Sequence, residues 1–384
     1  MSSGRKPLVI EGWRSSSHSY ALVNQHQLLH LMDDARFDLA HLDVPFYRAQ
    51  WARLDAGLPE PARTRLAQLP APSPKRAHAI YRISWPLRVH AGMADRVFVF
   101  GTCELGQLPP DSFCGPAMTA AGVDKRAVDI ITPSQWSRLG FLSEGFDESR
   151  IHVLPHGAEP AEFTPLSVEE RRNRRATLGI HADALVFLNI GAMTWNKGIA
   201  PLLGAFAQYR LQDERAVLLL KGSEALYGDQ VSAAAQEAVQ TFPLLKDPKV
   251  HAAIRYVPHN LSRSELTRLY QVSDAYVSPY RAEGFNLPVL EALAAGLPVL
   301  VTAGGATDDF CPEHLCLRIA AKGLSTTIGR YLEPAVDSIV DCMAKVANDS
   351  ALRTRAARQA PEWVAERYSW TRITRQLGDL IAAS

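Results

Sequence analysis

Residues 274–301 read DAYVSPYRAEGFNLPVLEALAAGLPVLV, and the way this stretch divides decides the fold. DAYVSPY carries the short apolar run of a buried strand. RAEGFN is polar and holds a glycine. LPVLEALAAG has Pro288 in its first turn and Gly296 at its end, and LPVLV is a second apolar run. Proline just inside a helix and glycine just past it mark the two boundaries. The order is therefore strand, loop, helix, strand. Both strand runs are continuous rather than alternating, as in a parallel sheet covered on both faces. Two carboxylates, Glu283 and Glu291, stand in this segment with seven residues between them. A buried carboxylate is costly without partners, so the pair needs a reason.

The same pattern recurs along the chain. PLVIEG, RVFVFG, VDIITPS and IHVLPHG read as strands in the first half. ALVFLNIG, AVLLLKG, IRYVP, DAYVSPY and LPVLVTAG do so in the second. Helical patterns such as YALVNQHQLLHLM, GIAPLLGAFAQYRLQ and SELTRLYQVS lie between them. The fold class is α/β, doubly wound. A chain of 384 residues is too long for one ordinary core. The strand pattern breaks at AEPAEFTPLSVEERRNRRATLGI and restarts at Ala184. We expect a first Rossmann-like domain over 1–165 and a second over 166–364. The closing helix, 365–384, is expected to pack back on the first. Ligands of such sheets bind beyond the carboxyl ends of the strands, so the chemistry belongs in strand-to-helix loops.

Composition narrows the function. An apolar fraction of 47% and a charged fraction of 21% are those of a folded globular protein. The formal net charge of +1 gives no general attraction to nucleic acid, and no nucleic-acid partner is expected. Arg63, Arg65, Lys75, Arg76, Arg82, Arg88 and Arg96 outnumber Glu60 and Asp95 in their stretch. They form either an anion-binding patch or a solvated surface. Five cysteines without a C-x-x-C pair and without a secretory signal fit reduced thiols in the cytoplasm. No apolar run reaches the roughly 18 residues of a membrane span. A peripheral membrane contact stays compatible with this composition.

Within the opening stretch, Asn286 is placed to cap the helix. The amides of Gly284, Phe285, Asn286 and Leu287 sit at its start, where partial positive charge and spare N–H donors suit a phosphate. Eight helical positions separate two residues by about 80° around the axis. Glu283 is on the loop, however, so both carboxylates can meet one elongated ligand. Carboxylates accept hydroxyls, and a sugar on one side of the phosphate with a ribose on the other would supply them. The plainer alternative makes Glu283 an exposed loop charge and Glu291 a solvated helix position. Two further strands end alike: NIGAMTWNKG brings Gly191, Asn196 and Lys197 to a helix start, and AVLLLKG brings Lys221. A lysine there acts on phosphate as a point charge.

IHVLPHGAEPAEFTPL, NIGAMTWNKGIAPLLGAF and SPYRAEGFNLPVLEALAAGLPVLVTAGG together resemble the retaining GT-B glycosyltransferases of family four, whose E-x7-E signature matches Glu283 and Glu291. The resemblance covers residues 128–384 well and the first 127 weakly. It implies two Rossmann-like domains facing a central cleft and a nucleoside diphosphate sugar as co-substrate. It implies no cofactor and no metal. Glu283 would contact the donor sugar, Glu291 the ribose, and Lys197 with the amides of 284–287 the diphosphate. The family often has an arginine after the glycine ending the strand; here that place is Ala192, and Lys221 or Asn196 is the expected substitute. The family also often has a glycine pair after the first strand, where this chain has only Gly12. Ser15, Ser16, Ser17 and His18 follow it, and Ser17 and His18 are candidates for the diphosphate or the acceptor. Thr102 and Glu104 in FGTCELG are the candidates for an acceptor-side loop. The acceptor itself stays unknown.

Other chemistries lack their signatures. His26 and His30 have the i, i+4 spacing of metal ligands without an evident third. CPEHLC suits no common zinc framework. The chain has no D-x-D, no G-x-G-x-x-G and no P-loop. A non-catalytic sugar-nucleotide binder, or a sugar-phosphate synthase or phosphorylase with an extra anion site over Arg63–Arg88, are the alternatives.

Overall fold

The computed structural model describes residues 4–48, 51, 53, 58–114, 125–164, 166–327 and 329–383. Pro165, where the sequence reading ends the first domain, lies outside them. The chain divides into two compact units: residues 1–157 with 368–384, and residues 158–367.

The first unit is built on β1 (Lys6–Gly12), β2 (Phe37–Asp43), β3 (Ala77–Ile83), β4 (Ala94–Phe100), β5 (Asp129–Thr132) and β6 (Ile151–Val153). They form one sheet in the order β2-β1-β3-β4-β5-β6, parallel throughout. Ile80, Val97, Val99, Ile130 and Phe141 fill one of its cores. The helix Trp370–Ala382 belongs to this unit. Its carbonyl end accepts from Lys6 Nζ (2.6 Å, at Ala382), and Arg36 reaches Asp379 at 2.6 Å.

The second unit holds β7 (Leu185–Ile190), β8 (Ala216–Lys221), β9 (Ile254–Val257), β10 (Ala275–Ser278), β11 (Val299–Thr302) and β12 (Cys316–Ile319). Their order is β12-β11-β10-β7-β8-β9, again parallel throughout. β10 and β11 are buried along their whole length, the physical reason for their unbroken apolar runs. Phe187, Leu202, Phe206, Leu218, Val277 and Met343 pack into one core with the covering helices. An antiparallel hairpin, β13 (Ala321–Thr326) with β14 (Gly329–Pro334), follows β12. This is the strand order in which the chain winds outward from the middle in both directions. β7 and β10 are the central pair, and their carboxyl ends flank the switch point where such folds bind ligands.

Candidate functional site

The loops after β7 and β10 meet at that switch point. The first runs through Gly191 and a tight turn at Trp195–Lys197 into the helix Ile199–Arg210. Gly198 joins them in the left-handed region, φ 67°. A Cβ there would lie 1.8 Å from the Pro279 carbonyl oxygen. Only glycine permits both the turn and this approach of the two loops. The carbonyl of Asn196 then accepts from the amides of Arg281 (2.7 Å) and Ala282 (3.2 Å), and its side-chain amide donates to the Ala282 carbonyl at 3.2 Å. Thr194 fixes the Asn196 side chain from the other end, at 2.6 Å. Asn196 is therefore the seam between the loops rather than a free donor.

That seam brings Lys197 and Glu283 together. Lys197 Nζ donates to Glu283 Oε1 at 2.6 Å. Glu283 is 5% exposed, so it is not a surface charge. A carboxylate this buried is stable because the ammonium is there. Four residues after Glu283 begins the eight-residue helix Leu287–Ala294, whose N-terminal end carries partial positive charge. Gly284 follows Glu283, and Phe285 stacks on Phe310 with ring centroids 4.5 Å apart. Asn286 occupies the cap position but makes no side-chain cap bond. Its backbone is left-handed, φ 80°, and its amide donates to Ser278 Oγ at 2.9 Å instead. The expected cap is thus replaced by a tie back to the end of β10. The left-handed conformation turns the side chain away from the first-turn amides.

Glu291 is 6% exposed, and each of its oxygens has a protein partner. Arg263 Nη1 lies 2.5 Å from Oε1, and the Tyr270 hydroxyl donates to Oε2 at 2.7 Å. Arg263 also binds Glu162 at 2.7 Å and lies over the Phe163 ring, 5.1 Å from its centroid. Burial works against the charge on Arg263. Glu291 and Glu162 outweigh it and raise its pKa. Burial, followed by Glu291, also raises the Tyr270 hydroxyl well above its ordinary value. The solvated reading of Glu291 is corrected by this cage. The sequence reading missed Arg263, Tyr270 and Glu162. One signal was available: Arg263 and Tyr270 are seven residues apart in the helix Arg263–Val272, so they share a face. Arg281 was missed as well. It grips Glu333 of β14 through Nε (2.7 Å) and Nη2 (2.9 Å) and lies over Trp195 at 5.0 Å.

Lys221 ends β8 and is buried. Its ammonium donates to the Gly222 carbonyl. Burial pushes its pKa down to about 8, against the pull of Glu224. Gly191 closes β7, its amide bonded to the Lys221 carbonyl at 3.0 Å.

In the first unit, a Cβ on Gly12 would meet the Ile83 carbonyl at 2.5 Å, so the single glycine serves strand packing. His18 caps the helix Ser19–Leu31, Nδ1 accepting from the Tyr20 amide at 3.2 Å. Its ring packs on Trp13, Tyr20 and Trp51. Ser17 Oγ is buried without a hydrogen-bond partner. Thr102 is tied to the Tyr20 hydroxyl through both its amide and Oγ1, each at 3.0 Å. The Glu104 carbonyl accepts from Trp136 at 2.7 Å.

The arginines of the basic stretch are ion-paired. Arg63 pairs with Glu60, Arg65 with Asp33, Arg76 with Asp95, Arg82 and Arg88 with Glu11, and Arg96 with Asp129. Glu60 and Asp95 lie within the stretch, whereas Asp33, Glu11 and Asp129 lie outside it, and those pairings are not visible along it. His26 stacks flat on Trp370 at 4.7 Å. Cys311 and Cys316 are buried thiols. Among the described residues no three His, Cys, Asp or Glu side chains gather as metal ligands, and no helix is long and apolar enough to cross a membrane.

Comparison with known proteins places this geometry. Residues 170–363 match the family model described as glycosyl transferases group 1. The chain is 28% identical over 256 residues to D-inositol 3-phosphate glycosyltransferase of Corynebacterium urealyticum, covering 66% of this chain and 56% of that protein. It is 26% identical over 258 residues to lipopolysaccharide 1,2-N-acetylglucosaminetransferase of Salmonella typhimurium, covering 64% and 60%. The chain thus spans little more than half the length of these relatives. Among solved structures, Anabaena HepE in complex with UDP-glucose superposes with a TM-score of 0.70 at 13% identity, covering 99% of this chain and all of that one. Sucrose-phosphate synthase of Thermosynechococcus elongatus does so at 0.66 and 17%, covering 99% and 100%. At these identities the likeness is one of fold, and that fold is GT-B, as the sequence led us to expect.

Proposed function

Because the chain belongs to the glycosyl transferases group 1 family, we propose that it is a retaining, metal-independent glycosyltransferase. It moves a hexose from a nucleoside diphosphate sugar to an acceptor hydroxyl. The observation that carries this reading is the contact of half-buried Lys197 with buried Glu283, 2.6 Å apart in the loops at the switch point.

A diphosphate placed against the start of the helix Leu287–Ala294 competes with Glu283 for Lys197. Glu283, released, accepts hydroxyls of the donor sugar. As the bond from the anomeric carbon to the diphosphate oxygen breaks, negative charge grows on the β-phosphate. Lys197 and the helix start stabilise that charge in place. Lys221 is a second cation on the same rim of the sheet. This positive end does the work of a divalent cation, and no further cofactor is needed. The acceptor oxygen attacks from the face the phosphate leaves, and a phosphate oxygen takes its proton, so the anomeric configuration is kept. Glu291 holds the ribose.

Two relatives are named for glycosyl transfer, and one fold neighbour was solved with UDP-glucose; both facts support this donor class. A sugar-phosphate acceptor held over Arg63–Arg88 would have to displace carboxylates from arginines that are already paired.

The test is a panel of nucleoside diphosphate sugars incubated with the protein and with candidate acceptor alcohols in the presence of EDTA. Release of nucleoside diphosphate and a product whose anomeric configuration matches the donor, by proton NMR, are expected. Tight donor binding with neither release nor product would make the protein a binder. An inverted product would overturn the mechanism.

A further inference from the structure

We propose that Arg263 and Tyr270 are positioning residues that aim Glu291 at the two ribose hydroxyls of the nucleotide, with Glu162 fixing the far side of Arg263. This rests on the assignment of Glu291 to the ribose.

The argument begins with lone pairs. An ionised carboxylate has two oxygens and about four acceptor positions. In Glu291, one position on Oε1 is taken by Arg263 and one on Oε2 by Tyr270. One acceptor position then remains on each oxygen. A vicinal diol offers two donors at a matching separation. A single phosphate oxygen or a lone amide does not use both. Without the cage, the carboxylate is free to rotate about its last bond, and a fixed pair of acceptors becomes an average over many orientations. Holding a group before the ligand arrives lowers the ordering cost at binding.

The cage is itself held from outside. Glu162 receives Arg263 Nε and Nη2, both at 2.7 Å, which leaves Nη1 for Glu291. Phe163 lies under the guanidinium, and its ring meets Tyr270 edge-on, with centroids 5.4 Å apart. Tyr270 stacks in turn on Tyr276 at 6.1 Å, and the Tyr276 hydroxyl donates to the Ile190 carbonyl at the end of β7 at 3.0 Å. Glu291 is therefore registered against the turn Pro160–Phe163 and against the same strand end that launches the Lys197 loop. Ribose and diphosphate contacts are built to one frame. Two carboxylates on one arginine would be wasteful for stability alone, because buried ion pairs seldom add net stability. They are well suited to fixing a direction.

The test compares the dissociation constants of a ribonucleoside diphosphate and its 2′,3′-dideoxy counterpart by calorimetry. Hydrogen bonds to a charged group contribute about 1.5–3 kcal/mol. The wild-type protein should therefore prefer the ribonucleotide by at least about tenfold. Arg263→Met should bring that ratio close to one, and Tyr270→Phe should reduce it by about threefold or more. A structural role for either residue would weaken both nucleotides equally and leave the ratio unchanged. Should Arg263→Met fail to fold, Tyr270→Phe, which removes only a hydroxyl, decides the matter through the same ratio. If folded variants keep the wild-type ratio, the positioning role is wrong. If the wild type shows no preference, the ribose assignment of Glu291 is what fails.

Discussion

The loop after β1 and the loops after β7 and β10 occupy equivalent places, at the switch points of two parallel six-stranded sheets. They are built from different chemistry. Gly12–His18 is closed by packing: His18 caps its own helix, and Trp13, Tyr20 and Trp51 surround the ring. Behind it, Glu11 at the end of β1 is matched by Arg82 (2.9 Å) and Arg88 (3.0 Å). The second unit instead sets a lysine against a glutamate at 2.6 Å beside a helix start, and backs it with a second carboxylate in a cage. Topology gives both places the same opportunity. The first loop carries one charge pair of its own, Arg14 with Asp43 at 3.0 Å; the second unit brings a lysine and two buried carboxylates to its switch point. The comparison therefore makes a quantitative claim: changes in the second unit's loops should act on turnover and donor affinity, and changes in the first unit's loop on stability.

The largest effect expected is that of Lys197→Ala. Removing one preorganised charge from the leaving group costs about 10²–10³ in turnover by analogy with the loss of an oxyanion donor. The fold should form with reduced stability, because Glu283 stays buried without its ammonium. Single-turnover rates with a donor sugar and circular dichroism of the variant check both halves. A wild-type turnover would break the comparison at its strongest point.

Glu283→Gln sharpens it further, because the two halves of the pair should respond in opposite directions. A neutral amide no longer holds Lys197 as an ion, so free nucleoside diphosphate should bind about threefold to tenfold more tightly. Transfer should slow, because the sugar hydroxyls lose their acceptor. Equal or weaker nucleoside diphosphate affinity in the variant would mean that Lys197 does not exchange Glu283 for phosphate.

Lys221 offers a smaller effect with a defined pH signature. Its folded-state pKa is lowered to about 8 by burial, while an unfolded lysine titrates near 10.4. Between those values the unfolded chain binds the extra proton, so this residue makes stability rise with pH across that window. Phosphate binding has the opposite sign, because the contact needs the protonated form. Nucleoside diphosphate affinity should therefore weaken by about threefold to tenfold as pH rises through and beyond 8. Lys221→Met should flatten that dependence. A profile unchanged by the substitution would remove Lys221 from the donor site.

The difference between the two regions also explains what the sequence could disclose. β10 and β11 were legible because burial on both faces forces an unbroken apolar run. β2, FDLAHLD, and β3, AHAIYRI, were not, because charged and polar residues interrupt the pattern. Arg82 in β3 is buried because Glu11, its neighbour across the sheet, and the carbonyls of Arg88 and His90 take its donors. Lys197 and Glu283 could be named from their strand-end positions, but their contact spans 86 residues and depends on the left-handed Gly198 beneath Pro279. Arg263 stayed hidden for the same reason. Local spacing places it on the face of Tyr270, and nothing local says that Glu162 and Glu291 converge there. Asn286 was given the right position and the wrong bond, since its left-handed φ cannot be read from residue type.

The smallest effect belongs to the first unit. His18→Ala removes the acceptor for the Tyr20 amide and the ring that fills the space between Trp13 and Trp51. Loss of a helix cap costs about 1 kcal/mol. A partly exposed ring adds little to that, so the denaturation midpoint should fall modestly. Donor affinity should not change, because the ring is engaged in its own helix cap and in aromatic packing. The histidine had been a candidate for binding diphosphate or acceptor. A capping imidazole, however, presents its Nδ1 lone pair to the backbone and keeps only Nε2 for anything else. Urea denaturation alongside calorimetry with nucleoside diphosphate separates the two duties. A stability loss with unchanged affinity keeps the regions distinct. A drop in affinity or turnover without loss of stability would make the first loop a working part of the site and end the contrast between the two switch points.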